Sequence, residues 1–222
     1  MRNVLIALTL TSCGTPAYQY AGYRTYEHFP LDGNRAWEYK NQNQDFLMMV
    51  EKMPDPAAQG SKRIHTLRYA QKDPYRLMYS IKWSSDSTDG VEIHGYSVED
   101  VVTGGDDEAD DTGMASDSTG GQWVDFVPPM QVTEYQMAPG DSVESSGAGV
   151  NYTTTFETME GCPNDWRDDW DCMKVVITSS DENDVAPFVG TWHWATRYGT
   201  SLFQAPNQDF PWTLLVADWT PE

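Results

Sequence analysis

The stretch YRLMYSIKW, residues 75–83, alternates with a period of two. Tyr75, Leu77, Tyr79, Ile81 and Trp83 fall on one face; Arg76, Met78, Ser80 and Lys82 fall on the other. Such alternation belongs to a strand with one face on a core, because successive side chains leave a strand on opposite sides. Outward from it the same kind of run recurs: FLMMVEKM and RIHTLRYA before, then GVEIHGYSV, QWVDFVP, NYTTTFETME, MKVVITSS, TWHWATRYG, SLFQA and WTLLVADW after. Turn residues separate the runs at hairpin spacing: Lys72-Asp73-Pro74, Asp89-Gly90, Tyr198-Gly199 and Pro206-Asn207. Asp32-Gly33-Asn34 likewise precedes Trp37 and Tyr39 on one face of a strand. No stretch sustains an apolar period of 3.6. The expected fold is therefore mainly β: an antiparallel meander, sandwich or partly closed barrel with at most one or two short helices.

A chain of 222 residues suits one domain with a substantial core. Its nine Trp and twelve Tyr favour sheet, where aromatic side chains fit a half-buried pleated surface. The formal charge of −20 argues against nucleic acid as a partner, since phosphate recognition needs a basic surface. It argues equally against docking on anionic lipid through charge. The excess gives solubility and can attract cations; the plain reading is that it reflects a salty habitat. Its densest part is TGGDDEADDTGMASDSTGG, residues 103–121, with six acidic residues and no basic one; this composition predicts a mobile surface loop.

The opening MRNVLIALTLTSCG has Arg2 as a short positive region, then an apolar run from Val4 to Leu10 broken by Thr9. At about 20 residues the requirement for a bilayer-spanning helix is not met. A secretory signal fits instead. Leu10-Thr11-Ser12-Cys13 resembles the lipobox of bacterial lipoproteins, an aliphatic residue and two small ones before the cysteine. The resemblance implies that residues 1–12 are removed and that Cys13 carries a thioether diacylglycerol and an N-acyl chain such as palmitate, a stable lipid anchor in the bilayer. Gly14 follows, not the Asp that retains many lipoproteins at the inner membrane, so delivery to the outer membrane is implied. Residues 13–28 read as a polar-aromatic tether and 29–222 as the folded domain.

Assigning Cys13 to lipid leaves Cys162 and Cys172, in GCPNDWRDDWDC. An even remainder in an oxidising compartment reads as one disulfide stapling the base of a hairpin loop. A zinc site is the rival, but no His lies nearby and two thiolates do not complete its shell.

Catalytic signatures are sparse. Gly140-Asp141-Ser142-Val143 resembles the nucleophile block of GDSL-type hydrolases, but no later Asp-x-x-His accompanies it, and a turn is the better reading. His28, His65, His94 and His193 are isolated in sequence, and His193 faces away from Trp192 and Trp194 on a strand. Asp106, Glu108 and Asp110 offer oxygen ligands for at most a weakly bound Ca2+, because Asp111 stands where an EF-hand loop needs Gly and no Glu closes it. No other cofactor is expected.

The order FPLDGNRAWEY, VPPM, MAPGDSV, GCPNDWRDDWDC, VGTWHWATRYGTSLFQ and WTLLVADW resembles a group of uncharacterised β-rich envelope lipoproteins of environmental bacteria. The resemblance implies an exported, lipid-anchored β-domain and carries over no functional residue. The expectation for function is a non-enzymatic envelope lipoprotein binding a protein or glycan partner, or a small ligand, near the membrane. Two alternatives stand beside it. A carbohydrate- or cation-dependent binding module would need exposed Trp or an ordered acidic loop. A carboxylate-using hydrolase would need a concave site with paired carboxylates.

Overall fold

The computed structural model describes residues 22–31, 34–41, 47–53, 57–59, 62–72, 76–98, 122–162, 171–184, 186–206, 208 and 211–220. The alternating runs form strands. In chain order these are β1 (Tyr23–Arg24), β2 (Asn34–Asn41), β3 (Leu47–Lys52), β4 (Ala57–Gln59), β5 (Lys62–Gln71), β6 (Arg76–Asp86), β7 (Gly90–Val98) and β8 (Trp123–Thr133). They continue with β9 (Gln136–Met137), β10 (Ser142–Gly147), β11 (Val150–Gly161), β12 (Asp171–Ser179), β13 (Gly190–Ala195), β14 (Gly199–Gln204) and β15 (Trp212–Thr220). One four-residue helix, α1 (Thr25–His28), is the helical element among the described residues.

The main sheet runs β10-β11-β12-β13-β14-β15-β2-β3-β5-β6-β7-β8, antiparallel throughout, with β4 paired to β5. Neighbours in sequence are neighbours in the sheet, as in a meander, and β15 joins the end of the chain to β2. The result is one nearly closed barrel. Its seam lies between β8 and β10, which run side by side without a ladder. Pro128 and Pro129 explain it, since proline has no N–H to give and belongs on an edge or a bulge. Between the pairs Ile93–Met130 and Gly95–Asp125, β8 carries Phe126, Val127, Pro128 and Pro129 against His94 alone. The bulge turns Phe126 into the core and throws Val127 outward, 89% exposed. Gly147 of β10 meets the seam so closely that a Cβ there would stand 2.5 Å from the Phe126 ring.

The barrel is full. Trp83 on β6 and Trp192 on β13, six strands apart in the sheet, bring their rings to 6.0 Å edge to face across the interior. From the N-terminal mouth, where β5 begins and β6 ends, Phe29 sits 4.7 Å from Trp83 and 4.9 Å from Trp194. From the opposite mouth Phe188 packs on Tyr152, Tyr96 and Phe126 at 5.2, 5.6 and 5.9 Å. Each buried aromatic contributes about 1.5–3 kcal/mol through area alone, with edge-to-face contacts adding to that. Between Phe29, Trp37, Tyr39 and Tyr69 the cavity volume is about 10 Å³, at the lower limit for a single water. No lumen remains there for an apolar ligand.

The 13–28 stretch expected as a tether ends inside this structure. β1 pairs with β9, and Thr25 donates from its N–H to Tyr135 O (3.2 Å) and from its hydroxyl to Glu134 O (2.6 Å). Thr25 and His28 are buried. The physical reason is that a barrel mouth exposes core, and the polar-aromatic run supplies Tyr23 and Phe29 to cover it.

Candidate functional site

The hairpin β6–β7 builds the most elaborate polar constellation. Its turn is Ser87-Thr88-Asp89, followed by Gly90 at φ +89°, where a Cβ would lie 2.3 Å from Thr133 O. Only glycine fits so positive a φ against that carbonyl. Asp86 Oδ1 accepts the N–H groups of Thr88 (2.7 Å) and Asp89 (2.9 Å), locking the turn. The turn fixes the register Asp86–Gly90 and Ser84–Glu92. Ser84, Glu92 and His94 then meet on the sheet face away from Trp83, and Lys62 reaches them from β5. Ser84 Oγ donates to Glu92 Oε2 (3.0 Å) and lies 2.9 Å from His94 Nε2. Lys62 Nζ donates to both Glu92 oxygens, at 2.8 and 2.7 Å, and pairs with Asp89 at 3.0 Å.

Burial sets the electrostatics. It works against the charge on Lys62, yet the hydrogen bonds to Glu92 and Asp89 hold the ammonium above its ordinary pKa. Burial lowers the pKa of His94, partly opposed by Glu92. Lys62 therefore neutralises a carboxylate that is only 8% exposed, and losing one partner of such a pair would strand the other.

Ser84, His94 and Glu92 have the residue types of a nucleophilic triad but not its arrangement. In a triad the carboxylate braces the imidazole nitrogen remote from the serine. Here Glu92 Oε2 approaches Nε2, the nitrogen that faces Ser84, at 3.6 Å. Ser84 is 1% exposed, so its oxygen meets no substrate. The cluster is a positioning network for the neighbouring turn.

Against that network lies a hollow of about 360 Å³ at the N-terminal mouth. Lys62, Arg63 and His65 of β5, Ser85 and Asp86 of β6, Thr88 and Asp89 of the turn, and Leu31 line it. A second hollow, about 480 Å³ and shallower, lies at the opposite mouth over Thr178, Ser179, Asp181, Glu182, Asp184, Thr191 and Gln204, with Val176, Val189 and Ala205 as its apolar wall. The first combines both signs of charge with a braced turn.

The residues singled out in the sequence fare unequally. Cys162 and Cys172 form the expected disulfide, Cα atoms 4.9 Å apart, at the base of the β11–β12 hairpin. Cys172 Sγ lies 3.1 Å from Ser201 Oγ. Cys13 and the Asp106, Glu108, Asp110 group lie outside the described residues. Among the described residues no group of three or more His, Cys, Asp or Glu is placed to hold a metal ion, and no helix is long and apolar enough to cross a membrane. His193 faces away from both tryptophans as expected, but it is buried, its Nδ1 3.4 Å from Glu160 Oε1, and burial lowers its pKa. Ser142 opens β10 with its hydroxyl 3.0 Å from Thr155 Oγ1, and Gly140-Asp141 is a turn in which Asp141 Oδ2 accepts the Ala138 N–H. Trp37, Trp83, Trp192, Trp194 and Trp212 are buried, and Trp123 lies under Lys82 Nζ, 4.1 Å from its ring. These six offer no open aromatic platform for a sugar.

Lys62, Arg63, Ser84 and Glu92 were not anticipated from sequence. The signal existed: a hairpin turning at Asp89-Gly90 sets Ser84 opposite Glu92 by counting outward. No protein-family model, curated protein or solved structure matches the chain.

Proposed function

We propose that the protein is a non-enzymatic, lipid-anchored envelope protein whose barrel holds a small polar ligand in its N-terminal mouth, beside the membrane. One observation carries the reading. The interior is packed with aromatic rings, while the hollow at Lys62, Arg63, Ser85, Asp86 and Thr88 is concave, polar and braced from behind by Glu92. Rigid placement of a few polar groups in a concavity is how small-ligand sites obtain orientation and specificity. The lipobox resemblance puts this mouth near the bilayer: nine positions separate Cys13 from Gly22, a reach of at most about 30 Å.

Two measurements test it on the full chain purified in detergent. Intact mass should find an acylated Cys13, lost in Cys13→Ala. A thermal-shift panel of anions, cations, zwitterions and neutral sugars should contain a stabiliser that acts on wild type and not on Thr88→Trp, which fills the hollow from its exposed rim. A chain without acyl groups sinks the anchor. A panel in which no compound distinguishes the two proteins sinks the site.

A further inference from the structure

The lining of this hollow contains two opposite charges that do not meet. Arg63 is exposed and forms no ion pair among the described residues. Asp86 uses Oδ1 for the two turn N–H groups, leaving Oδ2 without a hydrogen-bond partner and the carboxylate without a cation among the described residues. Lys62 and Asp89, by contrast, are committed to each other and to Glu92. Ser85 Oγ, buried on the same wall, also has no hydrogen-bond partner. Among the described residues, a guanidinium without an ion pair and a carboxylate oxygen without a hydrogen-bond partner therefore line one concavity of about 360 Å³.

Resting on the ligand-binding reading above, we infer that the occupant is a small zwitterion of the amino acid class, its carboxylate on Arg63 and its ammonium on Asp86. A guanidinium fork matches a carboxylate with two parallel hydrogen bonds. The carboxylate of Asp86 complements an ammonium. The whole-molecule charge of −20 selects the same class. A simple anion must approach against that field, whereas a zwitterion carries no net charge into it. A simple cation would leave Arg63 unanswered. Each half-interaction is weak in water, and joining both on one ligand raises affinity because the second contact is made at high effective concentration.

Isothermal titration of the full chain in detergent with alanine, serine, glutamine and dialanine, each of zero net charge at neutral pH, tests this, with acetate and methylamine as half-ligands. At least one of the four zwitterions binds, and acetate and methylamine each bind at least tenfold more weakly. Arg63→Ala and Asp86→Asn each weaken that zwitterion about tenfold or more; Asp86→Asn keeps the Oδ1 acceptor of the turn. Lys174→Ala, remote on β12, leaves binding unchanged. Acetate or methylamine matching the best zwitterion overturns the inference, as does binding indifferent to both substitutions. A sugar or a simple ion that stabilises wild type but not Thr88→Trp, with no amino acid binding, overturns it while leaving the ligand site in place.

Discussion

At the N-terminal mouth Phe29 reaches Trp83 and Trp194 from the segment that carries β1 and α1. At the opposite mouth Phe188 reaches Tyr96, Phe126 and Tyr152 from a connection that β12 and β13 hold on both sides. The rings do the same work; their backbones differ. The Phe188 turn is short and self-bonded, Asp184 N–H to Asp181 O (3.1 Å) and Val189 N–H to Ala186 O (3.1 Å), and Trp192 Nε1 donates to Phe188 O (2.8 Å). The N-terminal plug has one four-residue helix of its own and relies on borrowed partners: Tyr135 O, Glu134 O, the Arg197 N–H given to Glu27 O (2.9 Å), and Lys52 Nζ on Leu31 O (3.0 Å). A segment whose hydrogen bonds run to partners in other elements opens locally at lower cost than a turn bonded to itself between two adjacent strands. One stopper is therefore part of the barrel and the other is docked on it.

The largest test of that contrast is deletion of the two rings. Phe188→Ala and Phe29→Ala should each cost about 3–5 kcal/mol in denaturant unfolding, the usual loss for a buried phenylalanine that leaves a cavity. Their local signatures should differ. Phe29→Ala speeds hydrogen exchange at the Thr25 and Arg197 amides far more than at the amides of β12 and β13, because the docked segment can leave without unfolding the sheet. Phe188→Ala should speed exchange across the barrel together. Equal, global acceleration in both variants would erase the distinction.

The disulfide comes next in size. It spans a sequence separation of 10 between β11 and β12, and the chain-entropy estimate for such a loop is about 3 kcal/mol. Cys162→Ala is the cleaner variant, since Cys172 is buried beside Ser201. The bridge stands on the N-terminal mouth's side, where Asp171 acts on His28. Reduction should therefore lower the melting temperature and loosen the docked segment more than the Phe188 turn. Peptide mapping without reductant that finds two free thiols would remove the premise.

How far the sequence could be read follows from which forces act locally. The period of two in YRLMYSIKW places Tyr79, Ile81 and Trp83 on the core face of β6, as the structure has it, because alternation is a property of one strand alone. The β-bulge between Lys82 and Trp83 against β7 left that phase intact on β6. Closure was less legible. Sandwich and barrel share the same alternation, and the choice rests on β15 finding β2, a pairing between chain ends that no local pattern encodes. Pro128 and Pro129 could have marked β8 as the edge, since their missing N–H groups are a sequence fact. The buried histidines were hidden for another reason. His193 does alternate away from its tryptophans, but whether that outer face is covered depends on tertiary packing. The ligand hollow needed two hairpins at once, with Arg63 from β5 and Asp86 from β6, so neither strand alone announced it.

Protons give the smallest and most selective test. Burial lowers the pKa of His28, against the opposing hydrogen bond to the Trp194 backbone and the charges of Glu27 and Asp171. His94 and His193 are lowered by burial as well. A histidine whose folded pKa lies below its unfolded value of about 6.5 binds fewer protons in the native state. Stability is then full above that value and is lost as pH falls below it. His28 is the only one of the three on the docked segment, where its Nδ1 lies 3.1 Å from Thr196 Oγ1. Residues 180–189 contain no histidine. Between pH 7.5 and 5.5, intrinsic-rate-corrected hydrogen exchange should therefore rise at Thr25, Phe29 and Arg197 before it rises at Asp184 and Val189. His28→Gln, which cannot take up the proton, should flatten the first response and leave the second unchanged. If the two plugs loosen in parallel in wild type, protonation acts on the whole barrel through His94 and His193, and the docked segment has no independent equilibrium of its own.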